Sequence, residues 1–127
     1  MDSIIGIVGK DFLIMASDLT QARSILVQKQ DEDKIVKIDD TKMFAVAGEY
    51  GDRDNFVEFI RRNLKLFSLN TDLELSTKAV ASFTQDEMAQ SLRRNPYMAN
   101  LLLGGYDEGE GASLYMIDYL GTRLSCL

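Results

Sequence analysis

Residues 34–52, KIVKIDDTKMFAVAGEYGD, decide how the chain is read. Two short apolar runs, 35–38 and 43–47, flank the turn sequence Asp39-Asp40-Thr41 and predict a pair of strands. Gly48 and Gly51 then break the pattern, and a long amphipathic segment begins. A strand that ends in glycine and feeds a helix is a common way to aim backbone N–H groups at an anion or oxyanion. Read alone, the same glycines are better explained by a tight turn.

Upstream, runs 4–8 and 12–16 are joined by Gly9-Lys10-Asp11, a hairpin signal. Both are apolar at consecutive positions, the pattern of strands covered on two faces. Residues 17–24 are polar and read as irregular, 25–29 as a short strand and 30–33 as a charged turn. Downstream, a helix is predicted from Asp52 to about Leu69, with Phe56, Phe59, Ile60, Leu64 and Phe67 as its apolar stripe and Glu58 positioned to pair with Arg61 or Arg62. A second helix is predicted from Ser76, its N-cap, to Arg94, with Ala79, Val80, Phe83, Met88 and Leu92 facing inward. Pro96 prevents its continuation. Strands follow at 98–106, 113–118 and 123–127. Strands, helix pair, strands is an α+β order, without the alternation of a parallel sheet. It predicts one domain over 1–127, in which an antiparallel pair of helices lies on a sheet that packs on a second sheet.

The composition excludes several functions. A formal net charge of -6 over 127 residues, with no dense basic run, argues against nucleic acid or an anionic membrane as partner. No histidine is present, which removes Ser-His-Asp and Cys-His catalysis and leaves no imidazole for zinc. The single cysteine, Cys126, permits no internal disulfide, and as a nucleophile it has no base partner. Asp2, Lys10 and Asp11 interrupt the N-terminal apolar run, so neither a signal peptide nor a membrane span is expected there. No cofactor and no metal are expected.

With Ala47-Gly48-Glu49-x-Gly51-Asp52 stand four further marks: Glu74-Leu75-Ser76, Arg93-Arg94-x-Pro96-Tyr97, Gly105-Tyr106-Asp107 and Ile117-Asp118-Tyr119-Leu120-Gly121-Thr122. Together with an N-terminus on which no propeptide is expected, they resemble the beta-type subunits of the proteasome core, members of the N-terminal-nucleophile hydrolase family. The likeness covers almost the whole chain and looks closest to the non-catalytic position, the fourth, of the eukaryotic beta ring. It implies a four-layer α-β-β-α sandwich of two antiparallel sheets flanked by helices. The chain is expected to lack that family's C-terminal strands and second helix pair. Apolar strands would then be left with one face open, as in a fragment, a splice form or a truncated gene model.

The resemblance also implies a chemistry against which residues can be matched. In active members the first residue of the mature chain is threonine, whose hydroxyl attacks while its own α-amine serves as base. An aspartate and a lysine tune that amine, and the N–H after a strand-end glycine stabilises the oxyanion. Asp18, Lys34 and Gly48 fall on those three positions, and Asp2 falls on the nucleophile. A carboxylate is a poor substitute for an alkoxide, so these four are expected to be vestigial and no residue catalytic. Each also has a plainer role: Asp18 capping a turn, Lys34 pairing with a nearby carboxylate, Gly48 permitting a tight turn. Ser3 stands one residue out of register and would point to the opposite face. Arg61-Arg62 and Arg93-Arg94 read as solvated helix surface, and Tyr97, Tyr106, Tyr115 and Tyr119 as packing residues with polar tips. The implied partners are other proteasome alpha and beta subunits in stacked seven-membered rings, in cytoplasm and nucleus, with no small-molecule substrate of the chain's own. The alternatives are an active N-terminal-nucleophile peptidase and a truncated product that does not assemble.

Overall fold

The computed structural model describes residues 2–23 and 26–126. Among them run β1 (Ile4–Val8), β2 (Leu13–Ser17), β3 (Gln21–Arg23), β4 (Leu26–Lys29), β5 (Ile35–Lys37), β6 (Lys42–Gly48), α1 (Tyr50–Thr71), α2 (Thr77–Leu92), β7 (Ala99–Asp107), β8 (Gly111–Ile117) and β9 (Arg123–Cys126). Strands β5 to β9 form one antiparallel sheet in chain order, β1 pairs with β2, and β3 pairs with β4. The fold is α+β, as expected. The 17–24 stretch is not wholly irregular, because Gln21–Arg23 pairs with β4 through a bulged register that no apolar alternation advertises. Of the strand expected at 25–29, Ile25 lies outside the described residues, as do Met1 and Leu127.

Period-two alternation divides the large sheet into two faces. Phe44 pairs with Leu103 and Val46 with Leu101, and these pair onward to Tyr115 and Ile117. That row meets Phe56, Val57 and Ile60 of α1 and Val80, Ala81 and Met88 of α2 in the main core. The intervening row faces the β1–β2 hairpin. A Cβ at Gly104 would stand 2.5 Å from a methyl carbon of Leu13, so the hairpin lies directly on the sheet there. Helix pair, large sheet and hairpin are therefore stacked in that order, and Leu101-Leu102-Leu103 is covered from both sides as its composition requires.

The hairpin is covered on one side only. Its burial alternates along both strands, and Ile5, Ile7 and Ile14 remain exposed. Ile5 is 62% exposed and Ile14 57%. The two described helices both lie across the large sheet, so nothing among the described residues covers this outer face.

Both helices start and stop on identifiable signals. Asp52 accepts a hydrogen bond from the Met98 N–H just before β7 begins, while Asp107, at the end of β7, accepts from the Thr77 N–H. The two N-termini thus sit at opposite ends of one strand, and the helices run antiparallel. Ser76 caps α2 by accepting from the Ala79 N–H at 3.2 Å, as predicted. Helix α1 is longer than expected at both ends and closes on Asp72 in the left-handed conformation. Its buried face is also rotated from the predicted stripe. Arg53, Phe56, Val57 and Ile60 are buried, whereas Phe59 and Phe67 are exposed. In α2 the buried set includes Thr77 and Thr84 beside Val80, Ala81 and Met88. Thr84 tolerates burial because its hydroxyl donates to the Val80 carbonyl at 2.8 Å.

Candidate functional site: a buried charge cluster at the chain start

Four residues widely separated in sequence, Asp2, Asp18, Lys34 and Gly48, meet at one end of the sheets. Strand pairing does most of the placing. Ile4 pairs with Ser17, so Asp2 and Asp18 emerge from the same end of the hairpin. The Asp18 N–H donates to the Ser3 carbonyl at 3.1 Å, and the Ser3 N–H donates to Asp18 Oδ1 at 3.1 Å, which pins the two chains together. Lys34 precedes β5 and its carbonyl accepts from the Val46 N–H, which sets it beside the end of β6. There the strand stops at Gly48, which adopts φ 148. A Cβ on Gly48 would lie 2.1 Å from the Met98 carbonyl oxygen, so both the conformation and the close approach require glycine.

Lys34 is the centre of the cluster. It is 1% exposed, yet its three ammonium hydrogens all find acceptors: Asp18 Oδ1 at 2.6 Å, Asp2 Oδ1 at 2.7 Å and the Thr20 carbonyl at 2.9 Å. A buried ammonium persists only with such pairing. The other Asp2 oxygen, Oδ2, accepts the Gly48 N–H at 2.9 Å and lies 3.8 Å from Arg53 Nη1. Arg53 is 4% exposed, and its Nη2 reaches Glu32 Oε1 at 3.5 Å.

The electrostatics follow from this pairing. Burial alone would raise the Asp2 carboxyl, but hydrogen bonds from Lys34 and the Gly48 N–H and the charges of Lys34 and Arg53 outweigh it, and the net shift is downward. Asp18 is lowered chiefly by the Lys34 hydrogen bond and then by the Ser3 N–H. Burial would lower Lys34, but the hydrogen bonds and charges of Asp18 and Asp2 prevail and raise it. All three groups are held in their charged forms at neutral pH.

The plain reading of Lys34, that it pairs with a carboxylate, and the match by resemblance lead to the same contacts. Gly48 does more than turn the chain, because its N–H is used on Asp2. Two members of the cluster were missed by sequence reading, Arg53 and Glu32. A signal existed for Arg53: it stands three, four and seven residues before Phe56, Val57 and Ile60, on the face that goes inward. A cation on a buried stripe implies an anion waiting for it. The other singled-out residues lie elsewhere. Arg61 and Arg62 pair with Glu58 at 3.4 and 3.2 Å on the surface of α1. Tyr97 stacks obliquely on Phe56 with ring centroids 4.9 Å apart, and Tyr115 lies under the Arg123 guanidinium. Among the described residues no helix is long and apolar enough to cross a membrane.

Chemically, the cluster offers a carboxylate held by an ammonium and a strand-end N–H. Its ionised oxygens accept protons poorly, and Lys34 has no spare hydrogen to give. Comparison with known proteins places this geometry in context. Residues 2–127 match the family model described as proteasome subunit. The chain is 50% identical over 122 residues to the proteasome subunit beta type-2 of Oryza sativa subsp. japonica, covering 96% of this chain and 58% of that protein. It is 46% identical over 122 residues to the beta type-2-B subunit of Arabidopsis thaliana, covering 96% of this chain and 61% of that one. It is 44% identical over 126 residues to the beta type-4 subunit of Saccharomyces cerevisiae, covering 98% of this chain and 64% of that protein. The chain thus spans about three-fifths of the length of the relatives it matches.

Proposed function

The chain belongs to the proteasome subunit family, as a beta-type member, and on that premise we propose that it is a structural, non-catalytic subunit of the core particle's beta ring. The observation that carries this reading is the state of Asp2. Where a nucleophile of this family would need a hydroxyl beside a free amine, the chain has a carboxylate that is already bonded to Lys34 and to the Gly48 N–H. An ionised carboxylate in two charge-assisted hydrogen bonds is stabilised as it stands and has no proton to surrender. Asp18, Lys34 and Gly48 then serve as scaffold, tying the hairpin to the end of β6 and the start of α1.

On this reading the chain occupies one place among alpha and beta subunits in stacked seven-membered rings, in cytoplasm and nucleus. Its neighbours cut proteins delivered by the ATP- and ubiquitin-dependent route. Its own contribution is a section of wall and the contacts that align those neighbours. The outward surfaces of α1 and its connecting loops supply these contacts, which is consistent with the exposure of Phe59, Leu66 and Leu69 along that helix.

Purification from cells tests the proposal. The chain should co-migrate with a large peptidase barrel, and Edman sequencing or mass spectrometry should find Met1 or Asp2 at its N-terminus. Recovery only as a free monomer would refute the assembly role. A mature N-terminus of Thr, Ser or Cys would refute the non-catalytic one.

A further inference from the structure

We propose that Gly48, Lys34 and Arg53 form a carboxylate-binding pocket whose resident ligand is the Asp2 side chain, and that a free short carboxylate takes its place when that side chain is removed. The inference does not depend on whether the chain assembles.

Three donors converge on Asp2 from three different elements. The Gly48 N–H comes from the end of β6 at 2.9 Å, Lys34 Nζ from before β5 at 2.7 Å, and Arg53 Nη1 from the first turn of α1 at 3.8 Å. All three are carried on elements other than the hairpin that carries Asp2. The N-terminus of α1 also has no side-chain cap, since Glu49 makes no capping hydrogen bond. The acidic residue of its first turn, Asp52, is engaged by the Met98 N–H rather than by this corner.

Arg53 Nη1 adds a further sign of an anion site. It is buried and has no hydrogen-bond acceptor. At 3.8 Å the Asp2 carboxylate lies near it without bonding to it. A buried guanidinium nitrogen left in this way is costly. Asp2, tethered through the β1–β2 pairing, reaches Lys34 and Gly48 but stops short of Arg53. A small carboxylate without that tether can approach all three donors. Without any anion one Lys34 N–H would lose its acceptor while the other two kept Asp18 and Thr20, and the Gly48 N–H and Arg53 Nη1 would keep none of the acceptors described here.

The experiment uses the 127-residue chain with Asp2→Ala and, separately, Asp2→Asn. Thermal midpoints are read in 0.2 M sodium formate and in 0.2 M sodium chloride, with the unsubstituted chain as reference. The Ala variant should melt well below the reference in chloride. A dissociation constant of about 50 mM would raise its folded-to-unfolded ratio about fivefold in formate. That corresponds to a midpoint rise of roughly 3–5 °C in the Ala variant for a domain of this size. The reference chain, with its pocket filled, should show no difference between the salts. Asn keeps the shape but not the charge, so the Asn variant should melt between the other two and ignore formate. Equal response of the Ala variant and the reference to formate would overturn the proposal. Should the Ala variant fail to fold in either salt, the Asn variant decides: a midpoint equal to the reference would mean that the corner does not select a carboxylate, and the proposal would fall.

Discussion

Replacing Lys34 with Met keeps the length and apolar stem of the side chain and removes only its charge and donors. Two carboxylates, Asp2 and Asp18, then lose the group that each approaches at 2.7 and 2.6 Å. At an effective dielectric of about 20, a unit-charge pair at 2.7 Å gains roughly 6 kcal/mol in gross attraction. Desolvation of the ammonium takes back much of this, so the pair's net worth is small beside the cost of breaking it. Removing one partner from a buried pair costs about 3–5 kcal/mol, because the other charge stays behind. The Asp18 side chain is 34% exposed and water relieves part of its loss, which places the expected cost near the low end, about 3 kcal/mol. That is a large share of a typical domain's stability of about 5–15 kcal/mol. Urea unfolding followed by circular dichroism reads it directly, as a midpoint lower by about 1–2 M. The loss should shrink as pH falls toward 4, since protonation relieves the unpaired carboxylates. A change under 1 kcal/mol at pH 7, or a loss that grows toward pH 4, would mean that Lys34 does not hold the cluster together.

Gly48→Ala places a Cβ against the Met98 carbonyl in a conformation that only glycine adopts readily, and should cost more than about 3 kcal/mol in a thermal scan; an unchanged midpoint would show that the strand end is free to move. The pH profile of the unsubstituted chain has a definite sign on both sides. Asp2 and Asp18 titrate below the ordinary 3.8 when folded, so their contribution is present above that value and is lost as pH falls through their folded pKa values. Lys34 titrates above 10.5, so its contribution is complete below that value and is lost as pH rises further. Denaturant midpoints across this range should form a plateau from about pH 5 to 10. Ile5→Thr with Ile14→Thr changes residues that are already more than half exposed on the hairpin, so stability should move by less than about 1 kcal/mol while binding of a hydrophobic dye falls; unfolding would show that this face is covered.

The elements that sequence reading located best were those with strong punctuation. Ser76 and Pro96 bracket α2, Gly9-Lys10-Asp11 turns the hairpin, and the Asp39-Asp40-Thr41 turn closes with the Thr41 N–H donating to Asp39 Oδ1 at 2.8 Å. The misplaced face of α1 has a physical cause. Periodicity counts apolar residues, and Phe59 and Phe67 outweigh a lone arginine in any such count. Burial of Arg53 is decided instead by Asp2 and Glu32, which lie 51 and 21 residues away by number and leave no local trace. The short strand Gln21–Arg23 was illegible for a related reason, since its hydrogen bonds need only a partner strand. The candidate site was named through resemblance, residue by residue. Charge pattern alone would have shown only that Lys34 needed a carboxylate, not that two would come from the two chain ends of the same hairpin, just before β1 and just after β2.

The central claim is that the corner where a nucleophile would act is already filled by a carboxylate that cannot attack. Intact core particles treated with an epoxyketone or β-lactone probe and analysed by mass spectrometry chain by chain test it most directly. This chain should be recovered at its unmodified mass while active neighbours in the same particles carry the probe. A probe adduct on this chain's N-terminal residue would contradict the account.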